Sequence, residues 1–193
     1  MSAFRSKRTF NSASTSASCQ KRPLAELLEA SLMAISSCER TPVYCLLDLN
    51  NDGIPDAVFA ATYDNNTSHP GETLNIFIRL GKTWFIVPVP DDEGFTWTDF
   101  RLSASALKIS GTELHRYKGR VYLIRANKYA GSSGSVDVTD QSRVRFSLYR
   151  LEENIDDPGT SLFFWDPAGI YITKQSFDDV DEAFKTLDME KFR

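Results

Sequence analysis

The sequence predicts an α+β domain, an antiparallel meandering β-sheet with an amphipathic helix at each end. Three observations carry this reading. Apolar residues recur at helical spacing near the start of the chain (Leu24, Leu27, Leu28, Leu32, Ile35) and near its end (Phe177, Val180, Phe184, Leu187). Between them lie short apolar or alternating runs separated by Gly, Asn, Asp and Pro, the pattern of strands joined by tight turns. Aromatic residues make up 12% of the chain and include thirteen Phe, which suits a pleated sheet surface better than a helical bundle.

The elements follow in order. Residues 1–20 are rich in Ser, Ala, Lys and Arg with no apolar period, and read as a disordered or leader segment. The basic start Phe4-Arg5-Ser6-Lys7-Arg8 resembles that of an export signal, but a polar stretch follows where an apolar one belongs. Residues 21–193 read as one domain, since 193 residues are enough to bury a core without many staples. Pro23 suits a first helical turn, and the first helix is expected over residues 23–37, ended by Thr41-Pro42. Strands are expected at Val43–Leu47 and Ala57–Tyr63, then a hairpin of Leu74–Leu80 and Thr83–Val89 turning at Gly81-Lys82. Ala106–Ile109 and Thr112–Tyr117 read as two strands split by Ser110-Gly111. Val121–Asn127 and Val144–Leu151 follow, the latter alternating strictly, and then Leu162–Trp165 and Ile170–Ile172. Ser176 and Asp179 resemble a capping pair for the last helix.

Composition narrows the function. The net charge of −4 argues against a dedicated nucleic-acid binder. No run of eighteen apolar residues is present, so no membrane-spanning helix is expected. Three cysteines, Cys19, Cys38 and Cys45, allow one disulfide at most, Cys38–Cys45 and Cys19–Cys38 being the pairings considered. A bridge would place the protein in an oxidising compartment.

The one segment that states a chemistry is Asp48-Leu49-Asn50-Asn51-Asp52-Gly53-Ile54-Pro55-Asp56. Oxygen-bearing side chains stand at its first, third, fifth and ninth positions. Short carboxylates and amides spaced two apart can curl round a hard cation, and calcium takes six to eight oxygens. Gly53 permits the sharp return of the chain. The backbone carbonyl of Ile54 is the natural seventh-position ligand, and Asp56 closes the set. Without a cation, three carboxylates in one tight loop repel one another. The twelfth position is Phe59, where an EF-hand needs a bidentate Glu, so that motif is excluded. A hairpin turn rich in Asn, Asp and Gly that needs no metal is the plainer alternative.

The segment resembles the calcium loop of FG-GAP and VCBS-type repeats, the hairpin loop of integrin-like propeller blades. Asp48, Asn50, Asp52, Gly53 and Asp56 match it position by position, Val58 follows as expected, and the likeness runs from Tyr44 to Tyr63. It departs from the family in occurring once, so it implies the loop and its metal rather than a propeller. Small exported bacterial proteins are similar in carrying one such loop, which implies a periplasmic or secreted setting.

Other residues carry less. His69 lies in a polar loop, and His115 stands beside Glu113 and Arg116 with no local third group to orient it. Acidic residues such as Asp91, Glu93, Asp99, Glu152 and Glu153 single out no catalytic pair. The expectation is therefore a non-catalytic, calcium-stabilised protein-binding module, of the kind of a bacterial exported inhibitor or immunity protein. The alternatives are a hydrolase using carboxylates or calcium, and a carbohydrate-binding module.

Overall fold

The structure, a computed structural model, describes residues 43–64, 69–102, 107–129 and 139–192. The expected hairpin of the first two strands is present: β1 (Val43–Leu47) and β2 (Asp56–Tyr63) pair antiparallel, with Leu47 opposite Asp56 across the acidic loop. β2 then pairs β3 (Gly71–Leu80), and β3 turns at Gly81-Lys82 into β4 (Thr83–Ile86). Gly71 has a packing reason. The Tyr63 ring lies over it, and a Cβ there would come within 2.6 Å of that ring. The short β5 (Trp97–Thr98) shares the far edge of β3 with β4. These five strands form the N-terminal sheet.

The chain leaves this sheet at Asp99 and enters a second one. β6 (Phe100–Arg101) pairs β7 (Lys108–Tyr117), followed by β8 (Arg120–Tyr129), β9 (Ser142–Glu153) and β10 (Phe163–Phe177), in the order β10-β9-β8-β7-β6. Both sheets are antiparallel throughout.

The expected fold class is corrected on two counts. The single meander is two packed sheets, and the terminal helix is a fragment. Ser176 and Phe177 remain in β10, opposite Arg143 and Ser142, so the cap passes to Asp179. Its carboxylate accepts from the Asp181 amide, and α1 runs only over Val180–Phe184. The molecule is therefore mainly β. The helix expected over residues 23–37 lies outside the described residues, as do Cys19 and Cys38. Among the described residues no helix is long and apolar enough to cross a membrane.

Two apolar clusters hold the fold. The first lies between the sheets and joins Leu49, Val58, Ile76, Ile78 and Val87 to Leu123, Phe163 and Trp165. The second lies on the opposite face of the C-terminal sheet, where Ile124, Val144 and Phe146 receive Val180, Ala183 and Phe184 of α1. So short a helix is marginal on its own, and its stability comes from this buried face. Truncating a core aromatic such as Phe146 to Ala should cost about 3–5 kcal/mol.

Candidate functional site

The acidic loop is built from its own hydrogen bonds. Asp48 Oδ1 accepts from the Asp52 amide at 3.1 Å, and its Oδ2 accepts from the Gly53 amide at 3.1 Å. Asn50 Oδ1 shares the Asp52 amide at 3.3 Å, and the Asn50 side-chain amide donates to Asp52 Oδ2 at 3.0 Å. Asp52 Oδ1 accepts from the Ile54 amide at 2.7 Å. The turn needs two left-handed residues, Asn51 (φ 60°) and Gly53 (φ 82°), and Asn and Gly tolerate that region best. Asp48, Asn50 and Asp52 are thereby drawn together near the surface.

Asp56 is placed differently. It is fully buried, and its two oxygens accept the amides of Leu49 and Arg79, each at 2.8 Å. It thus ties the start of the loop to β3. Burial pushes its carboxyl above the ordinary range. The two backbone hydrogen bonds pull the other way, and the charges of Asp52 and Asp48 add to the rise. Among the described residues no Lys, Arg or His forms an ion pair with Asp48, Asp52 or Asp56. Nor do three acidic, His or Cys side chains converge there as a cage. A carboxylate has about four acceptor positions. Asp48 and Asp56 each use two on amides, which leaves lone pairs for a cation alongside the Asn50 amide oxygen and the Ile54 carbonyl.

A second polar cluster escapes sequence reading. Lys108 on β7 has a side chain only 9% exposed, and its Nζ lies 2.8 Å from Glu72, 3.1 Å from Asp181 and 3.7 Å from Asp99. Arg101 Nε pairs with Asp99 at 3.2 Å, and Arg101 also reaches Asp181 at 3.8 Å. Asp99 and Glu72 are bound reciprocally through their backbones, since the Glu72 amide donates to the Asp99 carboxylate and the Asp99 amide donates to the Glu72 carbonyl. Asp179 accepts from the Lys108 amide at 2.8 Å, which pins α1 to β7. Burial lowers the Lys108 pKa, but the hydrogen bond it donates to Glu72 and the charges of Asp181 and Glu72 outweigh it, so the net shift is upward. Burial lifts the Asp181 carboxyl above its usual range despite Lys108. The cluster fastens β3, the crossover at Asp99, β7 and α1 at one point. A lysine inside the apolar run Ala106-Leu107-Lys108-Ile109 was the available signal.

The remaining candidates separate. His115 Nε2 meets Glu113 at 2.8 Å, and its ring stacks on Phe184, which makes it part of the packing of α1. Glu93 pairs with Arg125.

The fold and loop define a class: a two-sheet β protein with an acidic hairpin loop at one end and a charged clasp, centred on the buried Lys108, joining its sheets. The model of the family described as carbapenem resistance protein CarG-like matches residues 43–186. The chain belongs to that family. A solved structure described as the crystal structure of CarG is similar, with a TM-score of 0.70 and 36% identity, over 79% of this chain and 99% of that one. No curated protein gives a match to this chain.

Proposed function

We propose that this protein is a non-catalytic, exported binding module that acts in carbapenem resistance through a protein partner, as an inhibitor or immunity-type protein does, with one calcium ion holding its β1–β2 loop. The observation that carries the calcium is the loop's charge. Asp48 and Asp52 are gathered by their own backbone amides and, among the described residues, form no ion pair with a cationic side chain. The ligand set is Asp48, Asn50, Asp52, the Ile54 carbonyl and Asp56, completed by water to the six to eight oxygens calcium takes. The likeness of the loop to FG-GAP and VCBS-type repeats supports the same reading. Resistance is inferred from the family description and from the similarity to CarG. The likeness of the loop to that of small exported bacterial proteins supports export.

The ion has a structural part here. Leu49, the second residue of the loop, is buried in the inter-sheet core. Fixing the loop therefore fixes the entry of the chain into that core. The test is to express the protein with a leader in a carbapenem-susceptible bacterium and measure the inhibitory concentration. A rise with the wild type, smaller with Asp52→Ala, is expected. No rise would sink the resistance reading. Loss of the antibiotic's β-lactam absorbance on mixing with purified protein would sink the non-catalytic one.

A further inference from the structure

One face of the C-terminal sheet changes character along its length. Where the N-terminal sheet covers it, the face is apolar: Leu123, Tyr149, Leu151, Phe163 and Trp165 pack into the inter-sheet core. Further along the sheet Arg143, Arg145, Ile170 and Ser176 are exposed, and the same face becomes cationic. Strand register places its residues directly opposite one another, hence on one side. Asn127, Arg145 and Ile172 form one row across β8, β9 and β10, extended through Ser110 on β7 to Phe100 on β6. Arg125, Ser147 and Ile170 form the next row, and Tyr129, Arg143 and Ser176 a third.

Arg143 and Arg145 are exposed and stand two residues apart on a central strand, roughly 7 Å along it. Arg143 lies over the Tyr129 ring, 5.8 Å from its centroid. Among the described residues neither arginine has a carboxylate partner, and these three rows contain no acidic residue. Arg125 is the exception that marks the boundary, being paired with Glu93 at 2.9 Å and seated over Trp97. In a chain of net charge −4, two adjacent unpaired guanidinium groups form a local inversion of sign. The same side carries large exposed apolar side chains, Ile170 at 49% on the adjacent strand β10 and Phe100 at 54% on the edge strand β6.

We propose that this open face, centred on Arg143 and Arg145, is where the protein takes its partner, and that the partner presents a carboxylate-rich segment with apolar side chains between its acids. The proposal deepens the protein-binding reading above and rests on it. Arginine matches carboxylate geometry with two parallel hydrogen bonds. Arginine and aromatic residues are also enriched at protein interfaces, where a few of them dominate affinity. The flanking Ile and Phe favour a protein over a nucleic acid, whose recognition begins from a broadly basic surface. Five strands about 4.8 Å apart give a width of roughly 20 Å, which fits one strand or helix of a partner.

The test uses the full chain and a fluorescent peptide of alternating glutamate and leucine. Expected is binding that weakens with salt, falls at least tenfold in R143E/R145E, and persists in R116E/R120E, which reverses two arginines at the distant β7–β8 turn. If the double reversal lowers the melting temperature, R143Q/R145Q carries the same comparison with less perturbation. No binding by the wild type, equal loss in both double variants, or tighter binding to a single-stranded DNA of equal charge would overturn the proposal. The resistance assay separates the two readings. A wild type that confers resistance while R143E/R145E confers as much would overturn the docking face alone. A wild type that binds the peptide but confers no resistance would overturn the resistance reading alone.

Discussion

The two acidic clusters of this protein solve the same electrostatic problem in opposite ways. The clasp gathers three carboxylates round one lysine, the loop carries three that do not converge, and each holds one of its three in the interior by backbone amide donors. At the clasp between the sheets the carboxylates of Glu72, Asp99 and Asp181 are met by Lys108 and Arg101. At the β1–β2 loop, Asp48, Asp52 and Asp56 have only amide dipoles to lean on among the described residues. The first cluster carries its counter-charge within the chain. The second leaves room for one from solution. A group of acids is thus better read by what stands opposite them than by their number.

Substitutions at the two clusters have different expected effects. The largest effect is expected at the clasp. Lys108→Met takes a cation from Asp99, which is buried and keeps Arg101, and from Glu72 and Asp181, which are about half exposed, so the loss is reduced from the roughly 3–5 kcal/mol of a fully buried pair to about 2–3 kcal/mol. Urea unfolding measures it, and calcium should not restore the loss. Next comes Asp56→Ala, which strands the buried Leu49 amide at about 1–3 kcal/mol and frees the part-buried Arg79 amide at less. That loss should appear in chelator as well as in calcium, because Asp56 ties the loop to β3 whether or not an ion is bound.

A smaller effect concerns pH. The Lys108 pKa is raised in the folded protein. A raised base contributes stability that is fully present below its unfolded value, about 10.4, and is lost as pH rises through its folded value. Wild-type stability should therefore fall more steeply above about pH 10.4 than that of Lys108→Met. Equal slopes in an alkaline denaturation series would remove Lys108 from the account. Smallest is Asp52→Ala in chelator. The residue is exposed, and the change should fall within roughly 1 kcal/mol of the wild type.

How much of this was legible in the sequence depends on how local the feature is. The β1–loop–β2 hairpin was legible because its turn residues, its alternation and its donor oxygens lie within one short run. β7 was misread as two strands because Ser110-Gly111 looks like a break. Both residues pair in the ladder, and Gly111 is there because the Lys108 stem crosses it: a Cβ would stand 3.1 Å from Lys108 Cε. β10 was likewise split at Asp166-Pro167-Ala168-Gly169, where the strand in fact bulges and continues. The last helix was drawn too long because its apolar spacing also serves Phe177 in a strand. The clasp was not legible as a unit, since its members come from β3, the crossover, β6, β7 and α1, and only the fold brings them together. The arginine face is intermediate. Strict alternation in β9 shows that Arg143 and Arg145 share a side, but only the sheet order shows what that side meets.

Whether the loop takes its counter-charge from solution is read by a thermal melt. The protein is melted with calcium in excess and again in chelator, beside Asp52→Ala under both conditions. A ligand at one hundred times its dissociation constant adds about 2.7 kcal/mol, which for a chain of this length is roughly 5–10 °C in Tm. The account predicts that rise in the wild type and its disappearance in Asp52→Ala. Identical wild-type melts in calcium and in chelator would contradict it and leave the loop an ordinary hairpin turn.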